Sequence, residues 1–70
     1  MTTELAKNVK KHRRRMGWSQ ERLAENAAVS IQTVRKLEEG GDVRTDTLHM
    51  IARGLGVNTA DLFVADSPAP

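Results

Sequence analysis

Three side chains near the middle of the 70-residue chain, Gln32, Arg35 and Lys36, could recognise a polymer of bases and phosphates. They fall within a stretch of helical periodicity. At about 100° per residue, Val34 and Leu37 point one way, and Gln32, Arg35 and Lys36 point almost directly opposite. Ile31 and Thr33 lie on the two borders. The outward face thus combines an amide with two cations close to a helix N-terminus. An amide can pair with adenine, cations can donate to guanine or phosphate, and a border aliphatic can touch a thymine methyl, all within a DNA major groove. The same residue types also make an ordinary solvated helix face, so the neighbouring elements must decide between the two.

Those elements begin with the stretch from Ser19 to Glu39, which reads as two short helices joined by a tight turn. Ser19 and Ser30 are both good N-caps, because a serine hydroxyl can accept from a free N–H of the first turn. With these caps, Trp18 and Leu23 take the two positions of a hydrophobic staple, and Val29 and Val34 take the same positions one helix later. Ala24 is expected where the second of these helices crosses the first closely. The turn itself is Ala27-Ala28-Val29.

A helix preceding this pair is expected from about Glu4 to Met16, capped by Thr2 or Thr3. Leu5, Val9, His12 and Met16 share its apolar face, and Lys7, Lys10, Lys11, Arg14 and Arg15 lie opposite. His12 reads as a partly buried packing residue, since no second metal ligand stands at a helical spacing from it. Gly17 ends this helix in the left-handed region. Beyond the central pair, which closes at Glu39 before Gly40-Gly41, Thr45 is expected to cap a fourth helix, with Asp46 favourable in its first turn. Leu48, Ile51, Ala52 and Leu55 form its buried stripe, His49 and Arg53 are exposed, and Gly56 ends it. Asn58 as N-cap, Asp61 three residues on, and a Val57–Leu62 staple predict a fifth helix, with Leu62 and Phe63 closing the core. Residues 1–64 read as one domain, and Ala65 to Pro70 as a flexible tail or the start of a linker.

Across residues 5–63, about five-sixths of the chain, this pattern resembles the lambda-repressor/Cro-like helix-turn-helix (XRE) family. The resemblance rests on Leu5, Val9, Arg13, Gly17-Trp18-Ser19-Gln20, Leu23-Ala24, Val29-Ser30, Thr33-Val34, Leu37-Glu38 and Gly40. It continues through Leu48, Ile51-Ala52, Leu55-Gly56-Val57 and Leu62-Phe63. It implies an all-α, compact five-helix DNA-binding domain with the helix-turn-helix formed by helices 2 and 3. It implies an ion pair between Arg13 and Glu38 that ties helix 1 to helix 3. It implies base contacts from Ile31, Gln32, Arg35 and Lys36, and backbone contacts from Gln20, Thr33, Arg44, Lys10 and Arg14, with Arg44 working beside the start of helix 4. The chain departs from the family at two points. Ala28 stands where glycine is usual, at a cost of about 1 kcal/mol for a left-handed alanine. The loop from Gly40 to Arg44 lacks the proline often seen there.

Composition excludes much else. With no cysteine there are no disulfides or thiolate metal sites, and the two histidines lie on different predicted helices. No nucleophile–base set and no phosphate-cradling glycine loop is present, so neither catalysis, a metal nor a cofactor is expected. The polar N-terminus and the lack of a long apolar run give no signal peptide and no membrane span, and the cytoplasm is the expected location. Charge is uneven: residues 1–36 carry a net of +6 and residues 37–70 a net of −4. A basic half suits approach to a polyanion from one side. The expected function is sequence-specific binding of double-stranded DNA as a transcriptional regulator. A homodimer is expected to read paired half-sites, and a C-terminal effector or dimerisation domain is compatible with the tail. The alternatives are the same fold as a protein-interaction module, antitoxin-like or polymerase-contacting, and non-specific binding through the basic face of helix 1.

Overall fold

Every α-helix among the described residues stops in the same way. A computed structural model describes residues 3–63, with four α-helices, α1 (Thr3–Arg15), α2 (Gln20–Ala27), α3 (Ile31–Glu38) and α4 (Thr45–Leu55), and then a 3₁₀ turn, Thr59–Phe63. At the end of α1, Gly17 N–H donates to Arg14 O at 2.9 Å and Trp18 N–H donates to Arg13 O at 3.1 Å. Ala28 and Val29, Gly40 and Gly41, and Gly56 and Val57 make the same two bonds at the ends of α2, α3 and α4, at 2.9 to 3.2 Å. The first residue of each pair is left-handed, with φ of 73°, 58°, 93° and 77° in chain order. These are Schellman motifs, which satisfy carbonyls that a helix end would otherwise leave open.

The second residue of the pair often serves two helices. Trp18, Val29 and Val57 lie partly buried against the core, and each directly precedes the next N-cap position. Ser19 Oγ accepts from Arg22 N–H and Ser30 Oγ from Thr33 N–H, each at 3.1 Å. One apolar residue thus closes one helix and sets the entry angle of the next. Asp61 Oδ2 accepts from Asn58 N–H at 3.2 Å, the return bond of a capping box.

Five expectations need correction. The fifth helix is a 3₁₀ turn, because five residues provide few of the i→i−4 bonds an α-helix needs. At about three residues per turn, Phe63 is carried a third of a turn away from the buried Leu62. It is therefore 56% exposed and does not close the core. Met16 is 45% exposed. It lies just past the end of α1, next to the left-handed turn at Gly17. Thr3 is inside α1 and is not its cap, and Thr2 lies outside the described residues. Thr45 is likewise inside α4: Leu48 N–H donates to Arg44 O at 2.9 Å, which makes Arg44 the N-cap, with no side-chain bond from it. The expected tail, residues 65–70, lies outside the described residues.

The core joins Leu5 and Val9 of α1, Leu23 of α2, Val34 and Leu37 of α3, Ile51 and Leu55 of α4, and Leu62. The most extensive helix pair is α2 with α4. Their close approach is at Gly54, where an added Cβ would stand 3.0 Å from Cα, Cβ and N of Ala27. Asn8, only 5% exposed, reaches from α1 to donate from Nδ2 to Leu62 O at 2.8 Å and so fastens the 3₁₀ turn. Position 8 is three residues from Leu5 and four from His12, so the apolar stripe of α1 passes through it. An asparagine there signals a buried hydrogen bond.

One polar network joins α1, α2 and α3. Arg13 Nε donates to Glu38 Oε2 at 2.6 Å and Nη2 to Glu38 Oε1 at 3.0 Å, a bidentate pair. Arg13 Nη1 donates to Trp18 O at 2.7 Å. Gln20 Nε2 donates to Glu38 Oε1 at 3.1 Å. The two charged side chains are 11% and 2% exposed. Donating to the Glu38 carboxylate raises the Arg13 pKa above its ordinary value, against the opposing effect of burial.

Three stability predictions follow from these contacts. Ala28 is exposed and left-handed, so Ala28→Gly relieves strain and loses no packing. A gain of about 1 kcal/mol is expected, read as a rise in Tm of several degrees. A fall would mean that the turn has a different backbone. Gly54→Ala should destabilise by about 1 kcal/mol in urea unfolding, because overpacking against the α2 backbone outweighs the better helix propensity of alanine. Arg13→Ala strands the buried carboxylate of Glu38 and should cost about 3 kcal/mol. The exposed neighbour variant Arg14→Ala should stay within about 0.5 kcal/mol of wild type. Equal midpoints for those two variants would contradict the importance of the pair.

Candidate nucleic-acid interface

The burial of α3 is one-sided. Val34 and Leu37 are fully buried, and Gln32, Arg35 and Lys36 are exposed. Ile31 is partly buried against the core, so only part of its side chain faces outward. Thr33 is also partly buried, with Oγ1 2.8 Å from Ser30 Oγ at the cap. Glu38 faces inward and holds Arg13 and Gln20, and this fixes the rotation of α3 about its axis. Glu39, the C-cap residue, is exposed and stands seven residues after Gln32, which places it on the same outward side. That spacing is visible in the sequence, and an acid there limits the approach of phosphate to the C-terminal end of α3.

Two grooves flank the exposed row. On the α4 side, Thr33 and Lys36 of α3 face Val43, Arg44 and Thr47 across a groove of about 450 Å³ that also includes Asp42. Arg44 Nε is 3.7 Å from Asp46 Oδ1, with both side chains largely exposed. Such an exposed pair contributes at most about 1 kcal/mol, so the guanidinium can be recruited by another anion. Asp46 Oδ1 also accepts from Thr47 N–H at 2.8 Å. On the α1 side, Lys7, Lys10, Lys11 and Arg14 line a cleft of about 650 Å³ whose other wall is Glu38, Glu39 and Gly40.

The expected contact residues therefore separate into groups. Gln32 and Arg35 form the central exposed row, with Ile31 at its border. Thr33, Lys36 and Arg44 gather on the α4 side. Lys10 and Arg14 lie in the α1 cleft, opposite acidic residues. Gln20 stands at the start of α2 with one amide hydrogen committed to Glu38. Basic groups on two sides of a polar helix face, joined to a rigid core, match the demands of a duplex with a phosphate strand on each side of a groove. Among the described residues, no group of three or more His, Asp or Glu side chains could hold a metal ion. No helix among them is long and apolar enough to cross a membrane.

Comparison with known proteins agrees with this architecture. The helix-turn-helix family HTH_3 matches residues 9–62. An uncharacterised HTH-type transcriptional regulator of Methanothermobacter thermautotrophicus is 40% identical over 60 residues, covering 83% of this chain and 87% of the relative. The crystal structure of a hypothetical transcription factor from Neisseria, NHTF, superposes with a TM-score of 0.86 at 27% identity, over 93% of this chain and 76% of that one. An HTH_3 family transcriptional regulator from Vibrio cholerae gives 0.80 at 28% identity, over 89% of this chain, which spans only 35% of that protein. The chain belongs to the HTH_3, or XRE-type, helix-turn-helix family of DNA-binding transcription regulators.

Proposed function

We propose that this protein binds double-stranded DNA sequence-specifically as a transcriptional regulator, with α3 in the major groove. The observation that carries this reading is the fixed orientation of α3. Its apolar side is locked in the core, its Glu38 is held by three side-chain hydrogen bonds, and Gln32 and Arg35 are left outward. Gln32 pairs with adenine through its amide, and Arg35 donates to guanine or phosphate. Ile31 offers a methyl contact at the border. Gln20 and Thr33, near the N-terminal ends of α2 and α3, and Arg44, at the start of α4, hold the backbone. Lys10 and Arg14 add attraction from the α1 side.

A single module with few base contacts gains specificity by pairing with a second copy, and a homodimer would read two half-sites about one helical turn apart. The use of this fold as a protein-interaction module is the competing reading.

Selection from a random duplex pool at near-physiological salt tests the proposal. One recovered motif is expected, and Gln32→Ala should relax it at a single position, at a cost of about 1–3 kcal/mol in discrimination. A symmetric motif would show the dimer and give the half-site spacing. Failure to enrich any sequence, with binding that fades as salt rises, would overturn direct readout and leave non-specific binding through the basic groups, or the protein-interaction reading, in its place.

A further inference from the structure

The Schellman motif that closes α3 differs from the other three. Elsewhere the second residue of the motif is Trp18, Val29 or Val57, whose side chain packs on the core. After α3 that residue is Gly41, which has none. Its φ is not positive, so the glycine is not required by backbone conformation. Space is the reason for it. A Cβ on Gly41 would stand 2.7 Å from Lys36 Cγ, 3.0 Å from Lys36 O and 3.3 Å from Lys36 Cε. The Lys36 stem therefore lies along the bare Gly41 backbone, while Gly41 N–H donates to Lys36 O at 2.9 Å. Lysine stems commonly cover backbone or apolar surface in this way and leave the ammonium in water.

Of the three outward residues of α3, Lys36 alone lines the groove on the α4 side. Its stem leans toward the loop before α4, into the groove that it shares with Thr33, Arg44 and Thr47. We propose that Gly41 is a positioning residue, which folds Lys36 toward Arg44 so that the two cations together grip a backbone phosphate. This differs from the sequence-based expectation that Lys36 contacts a base. Two cations in one groove beside a helix N-terminus suit a phosphate oxygen, and Asp42 on the same wall limits the site to one anion. The proposal rests on the DNA-binding reading given above. It concerns affinity: a phosphate contact carries no sequence information.

The test has one arm without DNA and one with it. In the free protein, NMR should show a nuclear Overhauser effect between Lys36 Hγ and Gly41 Hα, and its absence overturns the positioning role whatever the protein binds. In the second arm, wild type, Lys36→Ala, Gly41→Ala and the double variant are titrated against the selected duplex and its single-base variants at several salt concentrations. Lys36→Ala should weaken every duplex by the same factor, within about twofold, and lower the slope of log K against log salt by about one. Gly41→Ala should reproduce part of that loss in the wild-type background and none of it in the Lys36→Ala background. If Lys36→Ala instead relaxes one base position, or if Gly41→Ala weakens binding equally with and without Lys36, the proposal is overturned. Wild-type protein that binds no duplex overturns the phosphate contact together with the DNA-binding reading, and the Overhauser effect then still reports on Gly41. If Gly41→Ala fails to fold, Lys36→Ala and the free-protein measurement still decide the matter.

Discussion

The carboxylate of Glu38 is the point on which the arrangement of the first three helices depends. It lies in the last turn of α3, where the helix dipole disfavours a negative charge, and it is almost wholly removed from water. Both conditions would be costly without Arg13. The guanidinium sits in the last turn of α1, where the dipole favours a cation, and it meets the carboxylate with two hydrogen bonds. Gln20 brings the start of α2 to the same carboxylate, and Trp18 O brings the turn between α1 and α2 to the same guanidinium. A buried pair of this kind adds little net stability compared with apolar packing. What it adds is geometry: three helices share one small set of donors and acceptors, and that set is satisfied in only one rotation of α3.

Continuity between helices depends on a second economy. Trp18, Val29 and Val57 each close one helix and open the next element, so the chain reverses direction with few residues in the connections. Short connections fix the angle between α2 and α3, and with it the direction in which the outward face of α3 looks. The alanine at position 28 shows how much this turn depends on its neighbours. Ala28 is the one non-glycine residue with positive φ among those described. The bonds of Ala28 and Val29 N–H to Glu25 O and Ala24 O, with Val29 packed against the core, hold it in the left-handed region in spite of its Cβ.

Charge is organised by the fold more finely than by the halves of the chain. The basic first half contributes Lys7, Lys10, Lys11 and Arg14 to one side of α3, and Arg44, from the acidic half, stands on the other side with Lys36. Glu39 and Asp42 border the two grooves. Local acids of this kind do not cancel the attraction of a polyanion, but they restrict the positions at which a phosphate can settle. Gly41 extends the same idea to a side chain, because the absence of one Cβ gives Lys36 its course.

The sequence by itself determined the helix order, most of the caps and the buried stripes. These depend on local physics: serines at N-caps, left-handed glycines at helix ends, and apolar residues repeating at three and four. It also carried the family pattern, and with it the pairing of Arg13 with Glu38. Only the tertiary structure decided the rest. Thr45 gave way to Arg44 as the cap because the first intrahelical bond ends one residue earlier, a difference too small for sequence patterns to resolve. The last element became a 3₁₀ turn, exposing Phe63, because its few residues are held by Asn8 from a distant helix and not by an i→i−4 ladder of their own. The engagement of Gln20 with Glu38, the approach of Gly54 to Ala27 and the course of Lys36 over Gly41 are likewise invisible in the sequence. Each is set by the position of one backbone relative to another element, and no periodicity within a single element encodes it.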